Sequence, residues 1–168
     1  NIRRAHEGMV AAGMDVERAT AVATYLAFAM DKVADRNSQF SSWQPGGEKI
    51  RGTFPMQTIQ MRWDFCENYP FRTGSGSWED AVTAICKVVE HCSQTGSMAA
   101  RVVRGDAQAM PFEDNEFDAV LIDPPYYFSV MYSDLSDYFY VWLKRSIGHL
   151  YPEHFQTQWT PKSQEIIQ

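Results

Sequence analysis

Cysteine is scarce in this 168-residue chain: Cys66, Cys86 and Cys92 are its three, and no two stand at Cys-x-x-Cys spacing. An odd, unpaired set argues against a disulfide framework and against a structural zinc site. His91 and Cys92 are adjacent but have no second ligand pair, so no metal is assigned. Buried thiols in a reducing compartment are the expected state. Long apolar runs are lacking too. The longest uncharged stretch of the first strongly periodic segment, Ala19 to Met30, is too short and too alanine-rich to span a bilayer. No charged-then-apolar leader follows Asn1. A cytoplasmic protein with no membrane partner is expected, without repeats or low-complexity tracts.

Positive charge is also in short supply. Fifteen Lys and Arg against 21 Asp and Glu leave a formal charge of −6, opposite to the basic stripe of a free-standing nucleic-acid module. Phosphate contacts, if the chain makes them, must come from local groups such as Arg3-Arg4 and Lys144-Arg145 or from other parts of a larger polypeptide. Both pairs also read plainly as a solvated tail and a helix-end charge pair. What the sequence does have is apolar mass. Hydrophobic residues make up 45% and aromatics 14%, enough for a packed core rather than a disordered chain.

Helical patterning is clearest at two places in the first half. Asp15 is a plausible N-cap for a helix to roughly Asp35, with Val22, Leu26, Met30 and Val33 on one face. Ser77-Trp78-Glu79-Asp80 reads as an N-cap and acidic first turn for a helix over Trp78 to His91, burying Val82, Ile85, Val88 and Val89. Between them, Phe40 to Pro55 is an irregular connection rich in Gly and Pro, and Met56 to Phe65 fits a strand or a short helix.

The second half carries the chemistry. Phe117-Asp118-Ala119-Val120-Leu121-Ile122 reads as a buried parallel strand that stops at Asp123-Pro124-Pro125-Tyr126. Two prolines lack the amide donor and cannot continue a central strand, so Asp123 is left at a carboxyl edge, where open α/β sheets bind ligands. Upstream, Arg101 to Arg104 reads as a short strand ending at Gly105-Asp106, which sets a second carboxylate at such an edge. Asp106 is equally an N-cap over Ala107 to Met110. Glu113 to Glu116 is a polar turn between the two strands, and Asp134 to Ser146 an aromatic-rich helix presenting Leu135, Tyr138, Phe139, Trp142 and Leu143, with Gly148 as its stop.

Asp123-Pro124-Pro125-Tyr126 resembles the catalytic motif of methyltransferases that act on exocyclic amines. In that mechanism the carboxylate and the carbonyl of the first Pro accept the two amine hydrogens. This turns the nitrogen lone pair out of the ring and toward a methyl donor. The resemblance gives these roles to Asp123 and Pro124, rigidity to Pro125, and stacking on a flipped base to Tyr126. Tyr127 and Phe128 would line the base pocket. Gly105, Asp106 and Ala107 would contact S-adenosylmethionine.

The run Tyr132 to Arg145, then Leu150-Tyr151-Pro152-Glu153 and Thr160-Pro161-Lys162-Ser163-Gln164-Glu165 narrow the likeness, as do Ser42-Trp43, Gly47 to Arg51, Trp63-Asp64-Phe65 and Gly76-Ser77-Trp78. Together they resemble the carboxy-terminal catalytic segment of a prokaryotic family of adenine-specific DNA methylases. Those are large proteins with an upstream domain of unknown function and a zinc-binding insertion. The likeness implies a Rossmann-like α/β fold of which residues 1–168 form one partial domain: a mainly helical and irregular segment over 1–97, then a strand-loop-helix segment over 98–168. It implies S-adenosylmethionine as cofactor, and DNA and the rest of a larger polypeptide as partners. Phe71 to Ser77 looks like the glycine-rich cofactor loop of methyltransferases but follows no strand, so the N-cap reading is preferred. In the family that loop lies far upstream, and whether this chain holds cofactor alone stays open. Guanine in RNA and cytosine in DNA are alternative amines, and a non-catalytic binding or assembly domain is the alternative of another class.

Overall fold

The computed structural model describes residues 2–56, 58, 60–96, 100–126 and 129–164. Four helices form its body: α1 (Ile2–Ala11), α2 (Val16–Asp35), α3 (Trp78–Ser93) and α4 (Tyr132–Ile147). Between α2 and α3 lies a small antiparallel hairpin, β1 (Ser42–Gln44) with β2 (Lys49–Arg51), in which Trp43 faces Ile50. Its turn is a short 3-10 segment over Pro45–Gly47, closed by Glu48 in the left-handed region at φ 46°.

Helix α2 organises the rest, packing against α1, α3 and α4. Asp15 caps it as expected, its carboxylate accepting the Arg18 N–H at 3.0 Å. Its most deeply buried positions are alanines, Ala19, Ala23, Ala27 and Ala29. The first three recur every fourth residue and leave a smooth stripe, so Ile147 from the end of α4 packs directly on Ala23 and Ala27. The larger residues Val22, Leu26, Met30 and Val33 are only half-buried.

The aromatic stripe of α4 is a packing face. Phe54 meets Tyr138 and Phe139, each at 5.6 Å between ring centroids, and the Tyr138 hydroxyl donates to the Ala34 carbonyl at 2.7 Å. Trp142 stands at the edge of that face, more exposed, with the Arg145 guanidinium over its ring at 5.9 Å. Gly148 follows the last residue of α4, as the sequence suggests.

Helix α3 begins at Ser77 as read from the sequence, but its burial differs from expectation. Ala81 is its one buried residue, and Val88 and Val89 are exposed. The reason is that α3 packs mainly on α2. Val82, Ile85, Cys86 and Val89 therefore line an apolar groove of about 380 Å³ with Val22, Tyr25, Leu26 and Ala29 of α2. Cys86 and Cys92 are exposed and Cys66 half-buried, which corrects the expectation of buried thiols.

The two expected strands are not formed. Arg101–Arg104 and Phe117–Ile122 belong to no ladder, and the only sheet among the described residues is β1–β2. Leu121 is 98% and Ile122 81% exposed, the reverse of a buried strand. A central parallel strand is held by hydrogen-bonding neighbours on both sides and helices on both faces. Neither surrounds this segment. Met56–Phe65 is likewise neither strand nor helix at its described positions. Among the described residues no helix is long and apolar enough to cross a membrane.

Candidate functional site

Residues 100–126 form one excursion between α3 and α4, cross-linked within itself and tied to later segments at Arg104 and Tyr126. At its base, Arg101 stands 5.6 Å over the Phe112 ring and 4.0 Å from a Glu116 carboxylate oxygen, and Phe112 meets Phe117 edge to face at 4.9 Å. These contacts draw the two apolar segments together around the polar turn that the sequence predicts at Glu113–Glu116. In that turn Asn115 takes φ 64°, and the Glu113 N–H donates to the Glu116 carboxylate at 3.1 Å. Next, the Arg104 guanidinium meets His154 Nδ1 at 3.1 Å. Tyr151, three residues earlier, stacks on that imidazole, and its hydroxyl lies 2.9 Å from Thr24 Oγ1 on α2.

The second tie is at Asp123-Pro124-Pro125-Tyr126. All four residues are exposed, with Tyr126 at 68%. The Tyr126 N–H donates to the Tyr132 hydroxyl on the first turn of α4 at 3.4 Å, and the Tyr126 carbonyl accepts the Ser129 N–H at 3.4 Å. The motif is thus a solvent-facing loop turning into α4, and two successive prolines stiffen it. Tyr127 and Phe128, expected to line a base pocket, lie outside the described residues.

Gly105, Asp106 and Ala107 stand together in an exposed tight turn. Asp106 pairs with Ala109 in an isolated bridge, and its carboxylate accepts the Gln108 N–H at 2.8 Å. No helix follows, so Asp106 closes an Asx-type turn rather than capping a helix over Ala107 to Met110. No hydrogen bond or ion pair among the described residues joins Asp106 to Asp123. As arranged, these three residues offer an acceptor and an open edge, and they do not enclose a nucleoside.

The glycine-rich stretch at 73–77 is spoken for. Gly74 and Gly76 adopt φ of 103° and 85°, and the Gly76 N–H donates to Asp80 at 3.1 Å. The Ser77 N–H goes to the Gly74 carbonyl, and the Trp78 N–H to the Pro70 carbonyl. Ser77 Oγ accepts the Asp80 N–H at 3.1 Å, a reciprocal arrangement close to a capping box. Arg72 binds the Asn68 side chain and the carbonyls of Thr73 and Ser75. These amides face their own loop and the start of α3, as the N-cap reading requires, and not a ligand.

Two signatures to which the sequence lends no role come together beside the motif. Lys162 bridges two carboxylates of α4, Asp134 at 3.0 Å and Asp137 at close range. The Thr160 N–H donates to Asp137 at 2.9 Å, and its hydroxyl lies 2.6 Å from the same carboxylate oxygen and 2.8 Å from the Ser133 carbonyl. Partial enclosure pushes the Asp137 carboxyl up, but hydrogen bonds from Lys162 and Thr160 outweigh it and hold it below its ordinary range. Lys162 is correspondingly raised, first by its bond to Asp137.

Lys144 turns back to the Thr157 carbonyl at 2.6 Å, which favours the structural reading of the Lys144-Arg145 pair. Comparison with family models, with curated proteins and with solved structures finds no match to this chain.

Proposed function

We propose that this chain carries the amine-orienting part of an S-adenosylmethionine-dependent methyltransferase acting on adenine in DNA. One observation carries the reading: Asp123-Pro124-Pro125-Tyr126 is presented to solvent on a proline-stiffened loop tied by its backbone to the start of α4. An exposed carboxylate, a following carbonyl without a competing proline N–H, and an exposed ring two positions later are the groups that an exocyclic amine needs. The Asp123 carboxylate and the Pro124 carbonyl accept its two hydrogens, and the Tyr126 ring stacks on the extruded base. When bound, the cofactor supplies an electrophilic methyl group. Gly105, Asp106 and Ala107 are its proposed contacts in this chain, as an open edge rather than a cleft. In this reading the apolar run before Asp123 enters a parallel sheet of a Rossmann-like fold. Guanine in RNA and cytosine in DNA present the same amine chemistry.

A second reading, a binding or assembly domain that keeps the motif without turnover, is favoured by the open turn at Asp106 and the internally used amides of Gly76, Ser77 and Trp78. Calorimetric titration of S-adenosylmethionine, against this chain and against the full-length protein, separates the two when run beside a methyl-transfer assay on duplex DNA. Binding and transfer by the full-length protein support the enzyme. Absence of both in a folded full-length protein refutes it. Mapping modified bases in DNA from cells with and without the gene then identifies the acceptor.

A further inference from the structure

We infer that Lys162, through Asp134 and Asp137, braces the first turns of α4 and thereby positions the Asp123–Tyr126 loop. The inference deepens the methyl-transfer reading and rests on it for its kinetic part.

Met131 stands at the N-cap position of helix α4 and gives no side-chain hydrogen bond. The first-turn N–H groups of any helix lack intrahelical partners, and the Met131 side chain serves none of those of α4. The loop's backbone nevertheless hangs on that turn, because the Tyr126 N–H is held by the Tyr132 hydroxyl. What fixes the turn comes from the far end of the chain. Thr160 reaches the Ser133 carbonyl and the Asp137 carboxylate, and Lys162 joins Asp134 to Asp137. Asp134 and Asp137 are three residues apart, so one ammonium bridging them pins one face of the helix over its first turn. Ser133, which Thr160 holds, directly follows Tyr132. The brace therefore ends one residue from the anchor of the loop.

Lys162 touches neither Asp123 nor Tyr126, so its role is positioning. A displacement of about 1 Å at reacting groups costs roughly a hundredfold in rate, so even a partial release of the turn is readable. In the full-length protein, Lys162→Ala should lower kcat about tenfold with KM for S-adenosylmethionine unchanged. Lys162→Arg should restore most of it, because a guanidinium fork also spans two carboxylates. Tyr132→Phe should lower kcat likewise, and the double variant should lose no more than the larger single loss, since both act along one path. Amide exchange at Ser133 to Leu135 and at Tyr126 should quicken in Lys162→Ala and return to the wild-type rate in Lys162→Arg. Should Lys162→Ala not fold, Asp137→Asn weakens the same bridge while keeping its shape. Multiplying losses in the double variant, a rise in KM without a fall in kcat, or unaltered exchange would each overturn the brace. Exchange that responds as expected in a protein with no methyl transfer would leave the brace standing and remove the enzyme reading instead.

Discussion

Asp31 sits in the last turns of α2, among residues that pack toward α4, and one of its carboxylate oxygens is shut off from solvent without a hydrogen-bond partner among the described residues. Burial alone pushes its pKa from an ordinary 3.8 up to about 7. For an acid with a raised native pKa, the folded state binds the proton more tightly than the unfolded chain. Stability is therefore unaffected below about pH 4, falls as pH rises from there, and reaches its full deficit above about pH 7. At full strength that interval corresponds to about 4 kcal/mol. Because the carboxyl is only about half enclosed, solvent screening reduces this to roughly 1–2 kcal/mol. Asp31→Asn removes the charge but keeps the shape. At pH 8 the variant should be more stable by that amount, a gain of about 2–8 °C in Tm for a chain of this size, while near pH 4 the two proteins should unfold alike. Urea unfolding of both at pH 4, 6 and 8 measures the difference, and a carboxyl carbon NMR titration reads the pKa directly. An Asp31 that titrates near 4, or parallel pH slopes in the two proteins, would refute the reasoning.

Four further outcomes follow from the geometry. Asp123→Ala in the full-length protein should abolish methyl transfer through kcat while leaving the melting temperature unchanged, since the side chain is exposed. Near-normal turnover would remove its catalytic role. Asp106→Ala should weaken S-adenosylmethionine binding by about 1–3 kcal/mol by calorimetry, and unchanged affinity would leave Asp106 as a turn residue. Tyr126→Phe should keep most activity while Tyr126→Ala loses it, because stacking of a ring on a base is worth about 1–3 kcal/mol. A Tyr126→Ala protein with normal base-flipping fluorescence in a 2-aminopurine duplex would exclude that role. Ser77→Ala should cost about 1 kcal/mol, and Ser77→Gly only a few tenths, in thermal unfolding. Equal losses would mean that the hydroxyl is not the cap.

Local features were legible in the sequence because their causes are local. Asp15 and Ser77 announce α2 and α3 through an acceptor placed before an apolar period, and both accept the expected amides. Burial was less legible. The sequence directs attention to Val22, Leu26, Met30 and Val33, whereas Ala23 and Ala27 form the close contact that lets α4 approach. Alanine reads weakly on any apolar scale, and only the four-residue spacing betrays it. At the site, the motif 123–126 is plain from its prolines, but its tie to Tyr132 and the Lys162 brace is not. Thr160 and Lys162 lie more than twenty positions beyond the carboxylates they bind, and no local rule of charge spacing reaches that far. The clue was the co-occurrence of two polar signatures on a chain otherwise rich in aromatics.

The strands show the opposite failure. Phe117–Ile122 has every compositional mark of a buried strand, yet strand propensity is largely a statement about neighbours. The accessible surface of the chain is 12969 Å². A folded monomer of 19.2 kDa is expected to expose roughly 8,400 Å². The helical body packs through the alanine stripe and the Phe54–Tyr138–Phe139 cluster but leaves the α2–α3 groove open, and part of the excess falls on the excursion, where Val102, Leu121 and Ile122 are highly exposed, and on Met61, Trp63 and Phe71 ahead of α3. Among the described residues the excursion is hydrogen-bonded to later parts of the chain at Arg104 and at Tyr126. The well-braced end of the site is therefore its helix side. Tyr126 is tied through its backbone N–H to Tyr132 of α4, whereas Asp106, with no such helix beneath it, is held in a four-residue turn.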